Sequence, residues 1–381
     1  MRLKEVVFIV CVCLIAGCSS GDNNSEDPNE NEGGQLPKGS FPSNVTIIGE
    51  RDDIKYQLDI SRDGVISPEI NLHEQLDLNE DTSLFYVVRG DILRFHYHLG
   101  RTHYSQKNLA TGEIIGRVNI CPPVEGEQQS GASIHSNSRM AIRINSFSTN
   151  EDFAVIHDIA TGSCQKILLP PHVNHESSIM NESYLVLYLQ SEELGDFLVV
   201  IDLESGTIVK TFSYGLGNFI SGTINDKTLW VFSRDFTYQA YDLETSELVR
   251  QGEAYDSIVD MGLRLFRSKN LGSKMLLTLS YVQPNPVVEG PLIYDYDTGV
   301  ALGENMVLLE ANDFMNNNGY GFVGINDFDV DMESETIYVC GKGVRGSDVS
   351  NVGIFMVLDF SGRIIHFTEI GITPEEIFVR N

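Results

Sequence analysis

Three histidines that lie close together have the residue type and spacing of a metal site. His96 and His98 are separated by one residue, and His103 follows a short turn-like stretch. Residues two apart on a strand point to the same side, so the first two imidazoles would share a face. A carboxylate ligand would have to come from elsewhere, and no zinc-type spacing is completed. Ordinary histidines at the surface or between repeat units are therefore the preferred interpretation, and a metal site is the weaker hypothesis.

A second segment carries alternating acidic residues, Asp327, Asp329, Asp331 and Glu333. A row of oxygen ligands attracts calcium, but a calcium loop normally has a glycine at its sharp turn, and none lies among these residues. Alternation along a strand that ends in a turn explains the pattern more simply. We expect a strand here, with calcium binding as the minor alternative.

The N-terminus has the layout of an export signal. Arg2 and Lys4 precede an apolar run from Val6 to Ala16. The run is about half of the roughly 20 residues that a membrane-spanning helix needs, so a permanent transmembrane anchor is a poor interpretation. The last residues, LIAGC from Leu14, resemble the bacterial lipobox. This resemblance implies that residues 1–17 are a signal peptide and that Cys18 carries the fatty acyl chains that hold the protein to a membrane.

Residues 18–43 are poor in apolar side chains and rich in Asn, Glu, Asp, Ser and Gly. Such a stretch buries too little surface to offset its ordering entropy, so it is predicted to be a disordered linker. Ser19, in place of an Asp after the lipidated cysteine, implies by the same resemblance an outer-membrane location. The acidic, Asn-rich linker is similar to those of Bacteroidota lipoproteins. The resemblance of this linker to those of Bacteroidota lipoproteins leaves open whether the domain faces the periplasm or the exterior of the cell.

Of the six cysteines, Cys121, Cys164 and Cys340 remain after the first 18 residues. Three well-separated cysteines form neither a disulfide framework nor a zinc motif. Buried free thiols are the preferred interpretation, and a Cys121–Cys164 disulfide stays open.

The charge balance excludes one class of partner. The formal net charge is −28, with 54 acidic residues against 26 basic ones. An acidic surface without a basic patch cannot neutralise phosphates, so nucleic-acid binding is excluded. Acidity spread along the whole chain is typical of a soluble exported domain.

One turn-like motif recurs through the chain and indicates what positions these residues. It consists of a strand-like apolar run, an Asp or Asn, an apolar and a variable residue, Thr or Ser, then Gly. Five copies are clear, for example HDIATGSCQKIL from His157, and two are looser. Their intervals run from 40 (Asp202 to Asp242) to 64 residues (Asp295 to Asp359). The leading residues are Asp59, Asn108, Asp158, Asp202, Asp242, Asp295 and Asp359.

These residue types fit a β-hairpin. The Asp side chain accepts hydrogen bonds from backbone amides in the turn, and Gly adopts the left-handed conformation that returns the chain. A polar turn followed by an apolar strand recurs upstream, from Asn137, Asn181, Asn225 and Glu333. Two hairpin elements per interval predict units of four strands, which is the blade of a β-propeller.

The repeats resemble the quinoprotein-like and WD40-like propeller families, from about Asn44 to the C-terminus. The predicted fold is all-β: a single propeller of four-stranded blades over residues 44–381, with seven blades preferred and six or eight open. Asn44–Gly49 is expected to pair with the last blade and close the ring. Quinone-binding repeats carry a Trp after the Thr-Gly, whereas the only Trp here is Trp230 in the preceding strand. No cofactor is therefore expected.

Three Gly-, Asn- or Pro-rich segments are longer than a hairpin requires, and propeller ligands usually bind where such loops surround the axis. These predicted loops are Gln283–Pro291, Asn312–Gly324 and Gly341–Gly353. Their aromatic residues Phe314, Tyr320 and Phe322 are candidate ligand contacts, with core packing as the alternative.

No catalytic motif is complete in the sequence. The expected function is therefore a binding or scaffolding module that presents a propeller face to a protein or glycan in the cell envelope. The protein also resembles propeller lipoproteins, and more remotely the propeller lipoprotein of the outer-membrane barrel assembly machinery. The alternative is an enzyme: a hydrolase or lyase on an extracellular polymer, or less readily a quinone-dependent dehydrogenase.

Overall fold

The computed structural model describes residues 37–77, 84–89, 92–97, 103–109, 111–119, 121–136, 138–193, 195–215, 219–233, 237–253, 269–271, 274–280, 289–295, 297–298, 301–302, 306–345 and 351–380. The predicted signal peptide, Cys18 and most of the predicted linker lie outside these residues. Among the described residues, no helix combines the length and the hydropathy needed to cross a membrane.

Strands dominate the described chain. In order they are β1 Asn44–Arg51, β2 Ile54–Ile60, β3 Ile70–Asn71, β4 Leu84–Arg89, β5 Ile92–Tyr97, β6 His103–Asn108, β7 Ile114–Asn119, β8 Glu127–His135, β9 Arg139–Ser146, β10 Glu151–Asp158, β11 Cys164–Leu168, β12 Asn174–Met180, β13 Tyr184–Ser191 and β14 Gly195–Asp202. The second half continues with β15 Thr207–Gly215, β16 Phe219–Asn225, β17 Thr228–Ser233, β18 Thr237–Asp242, β19 Leu248–Glu253, β20 Lys269–Leu271, β21 Lys274–Ser280, β22 Glu289–Asp295, β23 Ala301–Leu302, β24 Tyr320–Asp331, β25 Thr336–Arg345, β26 Asn351–Asp359, β27 Ile364–Ile370 and β28 Thr373–Arg380. Within the described ranges, two helices accompany them, α1 Leu72–Gln75 and α2 Met306–Asn317.

The described strands form seven four-stranded antiparallel sheets, so the predicted all-β propeller with seven blades is confirmed. Six blades are continuous in sequence, and we number them first (β4–β7) to sixth (β24–β27) in chain order. The remaining sheet, which we name the closing blade, has the order β28-β1-β2-β3. The first strands of the second, third and fourth blades contact one another in turn, so these strands line the axis.

Because neighbouring strands in each blade run antiparallel, successive connections between strands lie alternately on two opposite faces of the propeller. The face that carries the turns between second and third strands and the connections between blades is named the upper face. The lower face carries the other two turns of each blade. Both recurrent sequence motifs therefore belong to the lower face.

The motif turns have the predicted geometry. In the second blade, Oδ1 of Asp158 accepts hydrogen bonds from the backbone N of Thr161 at 2.8 Å and its Oγ1 at 2.9 Å. Gly162 N donates to the Asp158 carbonyl at 2.9 Å, and its φ of 69° is the left-handed conformation that glycine adopts most readily. Each of the seven leading residues lies in or at the end of the third strand of its blade, immediately before the fourth.

The ring closes by pairing the two ends of the domain. Strand β1 runs antiparallel to β28, with Val45 opposite Val379 and Ile47 opposite Ile377. Asn44–Gly49 therefore takes part in closing the ring as predicted, but its partner is not the last blade: the C-terminal strand β28 joins β1–β3 as the innermost strand of the closing blade. The chain before β1 also packs on the domain, because Phe41 is 4% exposed. The ordered domain thus begins before Asn44.

The core lies between the blades, and the strands there are buried on both faces. In the third blade, every residue of β14 from Gly195 to Ile201 is buried. This pattern agrees with the continuous apolar run in the sequence, because each blade is covered by its neighbours on both sides. Hydrophobic contacts then hold successive blades together.

The predicted long loops are partly wrong. Residues Asn312–Gly324 are not a loop, because α2 continues to Asn317 and β24 starts at Tyr320. Gly341–Gly353 is mostly strand, and only residues 346–350 lie outside the described residues. Of Gln283–Pro291, residues 283–288 lie outside them, and the rest belongs to β22. Asparagine and glycine content misled the prediction, since α2 ends in an Asn-rich turn closed by Gly319 at φ 79°.

Candidate functional site

The acidic row of β24 fastens the ring rather than forming an open site. Asp327 and Asp329 are 7% and 8% exposed. The Oδ2 atom of Asp327 accepts a hydrogen bond from Ile377 N at 3.0 Å, and that of Asp329 from Val379 N at 2.9 Å. Strand β28 is the edge strand of its sheet, so the carboxylates of the neighbouring blade bind amides that another strand would otherwise pair. These carboxylates therefore have a structural role at the ring closure, and the predicted strand is confirmed.

The third member of the row, Asp331, ends the strand and holds the segment before β1. Its Oδ2 accepts a hydrogen bond from Ser43 Oγ at 2.7 Å, and the Tyr338 hydroxyl accepts one from Ser43 N at 3.2 Å. Burial raises the pKa of Asp331, but hydrogen bonds from Ser43 and Ser334 outweigh it and leave the pKa below its usual value. Glu333 lies exposed in the following turn.

A cleft of 760 Å³ opens on the upper face where the sixth and closing blades meet. It is bounded by the turn after β1, the start of β28, the end of β27 and the adjoining ends of β25 and β26. We name it the closure cleft. Its charged lining residues are Glu50, Arg51, Asp52, Lys342, Glu369 and Glu375.

One wall of the closure cleft is ordered by a buried lysine. Lys55 is 8% exposed, and its Nζ donates to Glu375 Oε1 at 2.7 Å and to Glu50 Oε2. Burial lowers the pKa of Lys55, but the hydrogen bonds to the two carboxylates outweigh it and raise the pKa above its usual value. The ammonium is therefore charged at neutral pH and holds β1 and β28 together at the cleft.

Further ion pairs fix other lining residues. Arg51 pairs with Glu69 at 2.7 Å and donates to the Gly371 carbonyl at 3.2 Å. Glu369 accepts a hydrogen bond from the Tyr320 hydroxyl at 2.6 Å and lies 3.3 Å from Arg345. The cleft is thus polar and preorganised, with both charge signs, which suits a ligand that offers many hydrogen-bonding groups.

The predicted aromatic contacts lie mostly in the core. Phe314 is half-buried in α2 and packs on Phe367, with 5.4 Å between the ring centroids. Tyr320 is 5% exposed, and burial together with its hydrogen bond to Glu369 raises its pKa to about 12. The structure therefore favours core packing for these two residues. The Phe322 side chain lies outside the described part of the structure.

The histidine hypothesis falls largely outside the described residues. His98 lies beyond them, and only the backbone of His96 and His103 is described. These two residues belong to the neighbouring strands β5 and β6 of the first blade. A metal site at His96, His98 and His103 therefore stays a hypothesis.

Sequence reasoning favoured free thiols at Cys121 and Cys164, and this preference is wrong, because the two form a disulfide. Cys121 lies in the connection into the second blade, and Cys164 starts the last strand of that blade. The sulfurs lie 3.8 Å and 4.0 Å from Nδ1 of His157. Burial lowers the pKa of His157 although Asp158 opposes the effect. A separation of 43 residues gave no motif that could reveal this group. Cys340 is buried and free, as expected.

Sequence reasoning also missed a buried lysine between the closing and first blades. Lys107 is 1% exposed, and its Nζ donates to the side-chain oxygens of Gln57 at 2.7 Å and Gln75 at 2.6 Å. Burial lowers its pKa, although Asp59 opposes the effect. It precedes the motif residue Asn108, and nothing in the repeat pattern distinguishes it.

Exposed apolar side chains also occur on the upper face, at the second blade. Val124 and Val173 lie in the connections on either side of this blade and are 65% and 59% exposed. Phe147, in the turn between β9 and β10, is 67% exposed. Large exposed apolar residues are a common mark of an interaction surface when they lie together on one face.

A search against protein-family models finds no match, and a search of curated proteins finds none either. Among solved structures, the chain is similar to the computationally designed Ika8 protein at 11% identity and a TM-score of 0.44, covering 89% of this chain and 92% of that one. It is similar to a chain of the Mitotic Checkpoint Complex at 10% identity and a TM-score of 0.41, covering 74% and 76%. The third is BamB from Moraxella catarrhalis, at 11% identity and a TM-score of 0.39, covering 90% and 96%. The propeller assignment rests on the sheets of this chain itself.

Proposed function

We propose that this protein is a lipid-anchored binding module of the cell envelope. Its seven-bladed propeller binds a protein or glycan partner at the upper face, with the closure cleft as the main contact. The observation that carries the proposal is this polar, preorganised cleft of 760 Å³ on the same face as the inter-blade connections. Long connections on a rigid scaffold are where propellers can vary their binding surface without disturbing the core.

The ion pairs at the cleft support a binding role. Both Glu50 and Glu375 are held by Lys55, and Glu369 lies close to Arg345. These contacts fix the carboxylates in place, which suits a role in positioning the lining of the cleft.

The anchor is the second part of the proposal. The lipobox-like residues that end in Cys18 support attachment of acyl chains, and several chains on one residue anchor a protein far better than a single chain does. Outer-membrane placement follows from Ser19 by resemblance. In this arrangement, the residues after Cys18 form a linker that lets the propeller reach a partner beyond the lipid surface.

The binding proposal is tested by crosslinking in native cells with two matched double variants. Asp52→Asn with Lys342→Gln removes one charge of each sign from the closure cleft, and Asp226→Asn with Lys227→Gln does the same on the lower face. Asn tolerates the left-handed conformation that Asp52 and Asp226 share, with φ of 55° and 51°. We expect the crosslinked partner to be lost only in the cleft variant. Equal crosslinking in both variants would overturn the assignment of the cleft.

The anchor is tested separately by Cys18→Ala. We expect the variant protein to leave the membrane fraction and to appear in the soluble fraction. Retention in the membrane fraction after a high-salt wash would contradict a lipid on Cys18.

A further inference from the structure

The group formed by Cys121, Cys164 and His157 has the composition of a metal site as well as of a disulfide. The three ligand atoms, two Sγ and one Nδ1, lie within 4.8 Å of one another. Thiolate sulfur and imidazole nitrogen are the ligands that Zn²⁺ and Cu⁺ prefer in proteins.

The distances between nitrogen and sulfur are within about 0.2 Å of those that one ion requires. Zinc binds thiolate sulfur at about 2.3 Å and imidazole nitrogen at about 2.0–2.1 Å, so the sulfur and nitrogen ligands of one ion lie roughly 3.5–3.8 Å apart. The observed separations from Nδ1 of His157 are 3.8 Å to Cys121 Sγ and 4.0 Å to Cys164 Sγ. Only the two sulfurs, which are bonded to each other, have to move apart to admit an ion.

The disulfide does not explain the histidine. His157 is 3% exposed, and its Nε2 is buried without a hydrogen-bond partner among the described residues. In the described part of the chain, its Nδ1 contacts the two sulfurs, which are weak hydrogen-bond acceptors. A metal bond to Nδ1 would give that buried atom a strong partner in place of two weak ones, and it leaves Nε2 as it is in the disulfide form.

We propose that the reduced form of this group, with Cys121, Cys164 and Nδ1 of His157 as ligands, binds one thiolate-preferring metal ion such as Zn²⁺. The disulfide is then the metal-free form. An external dithiol reduces it: the dithiol loses two electrons and two protons to become a disulfide, and Cys121 and Cys164 become thiols. Each of these two thiols releases its proton when it binds the ion.

The surroundings allow this exchange. Cys164 is exposed, so a reductant and then an ion can approach from its side, while Cys121 and His157 are buried and keep their positions. Exposure at Cys164 also leaves room for a water molecule as a fourth ligand. The site would therefore be empty in an oxidising compartment and filled after reduction.

The experiment uses the whole protein, reduced anaerobically with a phosphine that is then removed. It is titrated with Co²⁺, followed by displacement with Zn²⁺, and the thiolate-to-cobalt absorption band and the binding stoichiometry are recorded. We expect one more bound ion per chain in reduced protein than in unreduced protein. The unreduced protein is the main control because its disulfide removes the site without any mutation.

Two histidine variants sharpen the result. His157→Ala is expected to weaken metal binding by at least tenfold, whereas His172→Ala, a matched change at a histidine of the same region, leaves the affinity unchanged. Cysteine thiols elsewhere in the chain are present in every sample and cancel in the comparison. Equal stoichiometry with and without reduction would overturn the proposal, as would unchanged affinity in His157→Ala.

Discussion

The closing blade and the second blade solve the same problem by different chemistry. Each has an end that must be secured to the rest of the ring. The second blade is tied to its incoming connection by the Cys121–Cys164 disulfide, which spans 43 residues. The closing blade joins segments 321 residues apart in sequence, for example Asp59 and Arg380 at 2.9 Å, without any covalent bond. Its junction with the sixth blade relies on buried carboxylates that bind the amides of β28.

The difference shows at which stage of folding a disulfide and a set of hydrogen bonds each stabilise the ring. A disulfide stabilises mainly by restricting the unfolded chain. The Cys121–Cys164 bond therefore restrains its own segment whether or not the ring has closed. The hydrogen bonds from β28 amides to the β24 carboxylates form only once the ring has closed, because the two strands are not neighbours before then. The closing blade should therefore depend on the complete fold, and the second blade should not.

The largest effect is expected from removing β28. Deletion of residues 373–381 takes away the innermost strand of the closing blade, including Ile377, which is fully buried. We expect a loss of more than about 5 kcal/mol, which is comparable to the whole stability of many domains. Urea unfolding followed by tryptophan fluorescence and circular dichroism measures it. A synthetic peptide of residues 373–381 should restore part of the loss, and full stability of the shortened chain would contradict closure by β28.

Reduction of the disulfide is expected to have the next largest effect. Loss of a crosslink over a loop of this length costs about 4 kcal/mol through the entropy regained by the unfolded chain. Urea unfolding with and without a dithiol, in the presence of a metal chelator, measures the change. Cys340→Ala serves as the control because Cys340 is free. If reduction leaves the unfolding midpoint unchanged, the disulfide contributes no net stability and the contrast between the two blades fails.

Asp329→Ala is expected to cost about 2 kcal/mol, because the Val379 amide loses a charged acceptor in a buried place. Asp329→Asn keeps an acceptor oxygen and should cost less. Asp63→Ala, at an exposed position of the closing blade, is the surface control. The free energy of unfolding in urea distinguishes the three variants. Equal losses for Asp329→Ala and Asp63→Ala would show that the carboxylate does not secure the junction.

The smallest effect concerns the lower-face turns. Backbone hydrogen bonds from Thr161 and Thr298 lower the pKa of Asp158 and Asp295 below the usual value. A lowered pKa in the folded state adds stability above the unfolded pKa of about 4, and this stability is lost as the pH falls through the folded pKa. Both turns lie near solvent, so we expect only a few tenths of a kcal/mol each after screening.

The matching experiment replaces both residues by Asn, which occupies the same place naturally in the first blade at Asn108. The double variant should be slightly less stable than the original protein at pH 7, and the difference should vanish near pH 2. Urea unfolding at the two pH values provides the measurement. A difference that grows towards acid pH would contradict the assigned direction of the pKa changes.

Much of the fold could be predicted because each copy of the repeat determines the conformation of its own turn through contacts between residues close in sequence. An Asp or Asn followed by Thr or Ser and Gly determines its own turn, so the seven leading residues could be placed from the sequence, and seven blades were preferred over six or eight. The fourth blade shows how strong this signal is, because Ser246 replaces the Gly and still adopts a φ of 59°. The long loops were harder to predict, since α2 contains residues that also favour turns.

The site could be predicted less well, because it depends on contacts between distant segments. Lys55 forms an ion pair with Glu375, which is 320 residues away in sequence, and no local sequence pattern predicts such a pair. The acidic row was recognised, but its alternation could not show that β28 would lie beside it. Aromatic residues near a presumed loop were natural candidates for ligand contacts, yet Tyr320 turned out to be buried.

The placement of β28 has a consequence for how the protein is made. This strand is synthesised after all the other described strands, yet it forms the inner edge of the blade whose outer strands are made first. An emerging chain therefore remains an open spiral, with β1 lacking its partner until residues 373–380 have appeared. During this interval the edge of β1 presents unpaired backbone groups, which is the kind of edge that pairs readily with other strands.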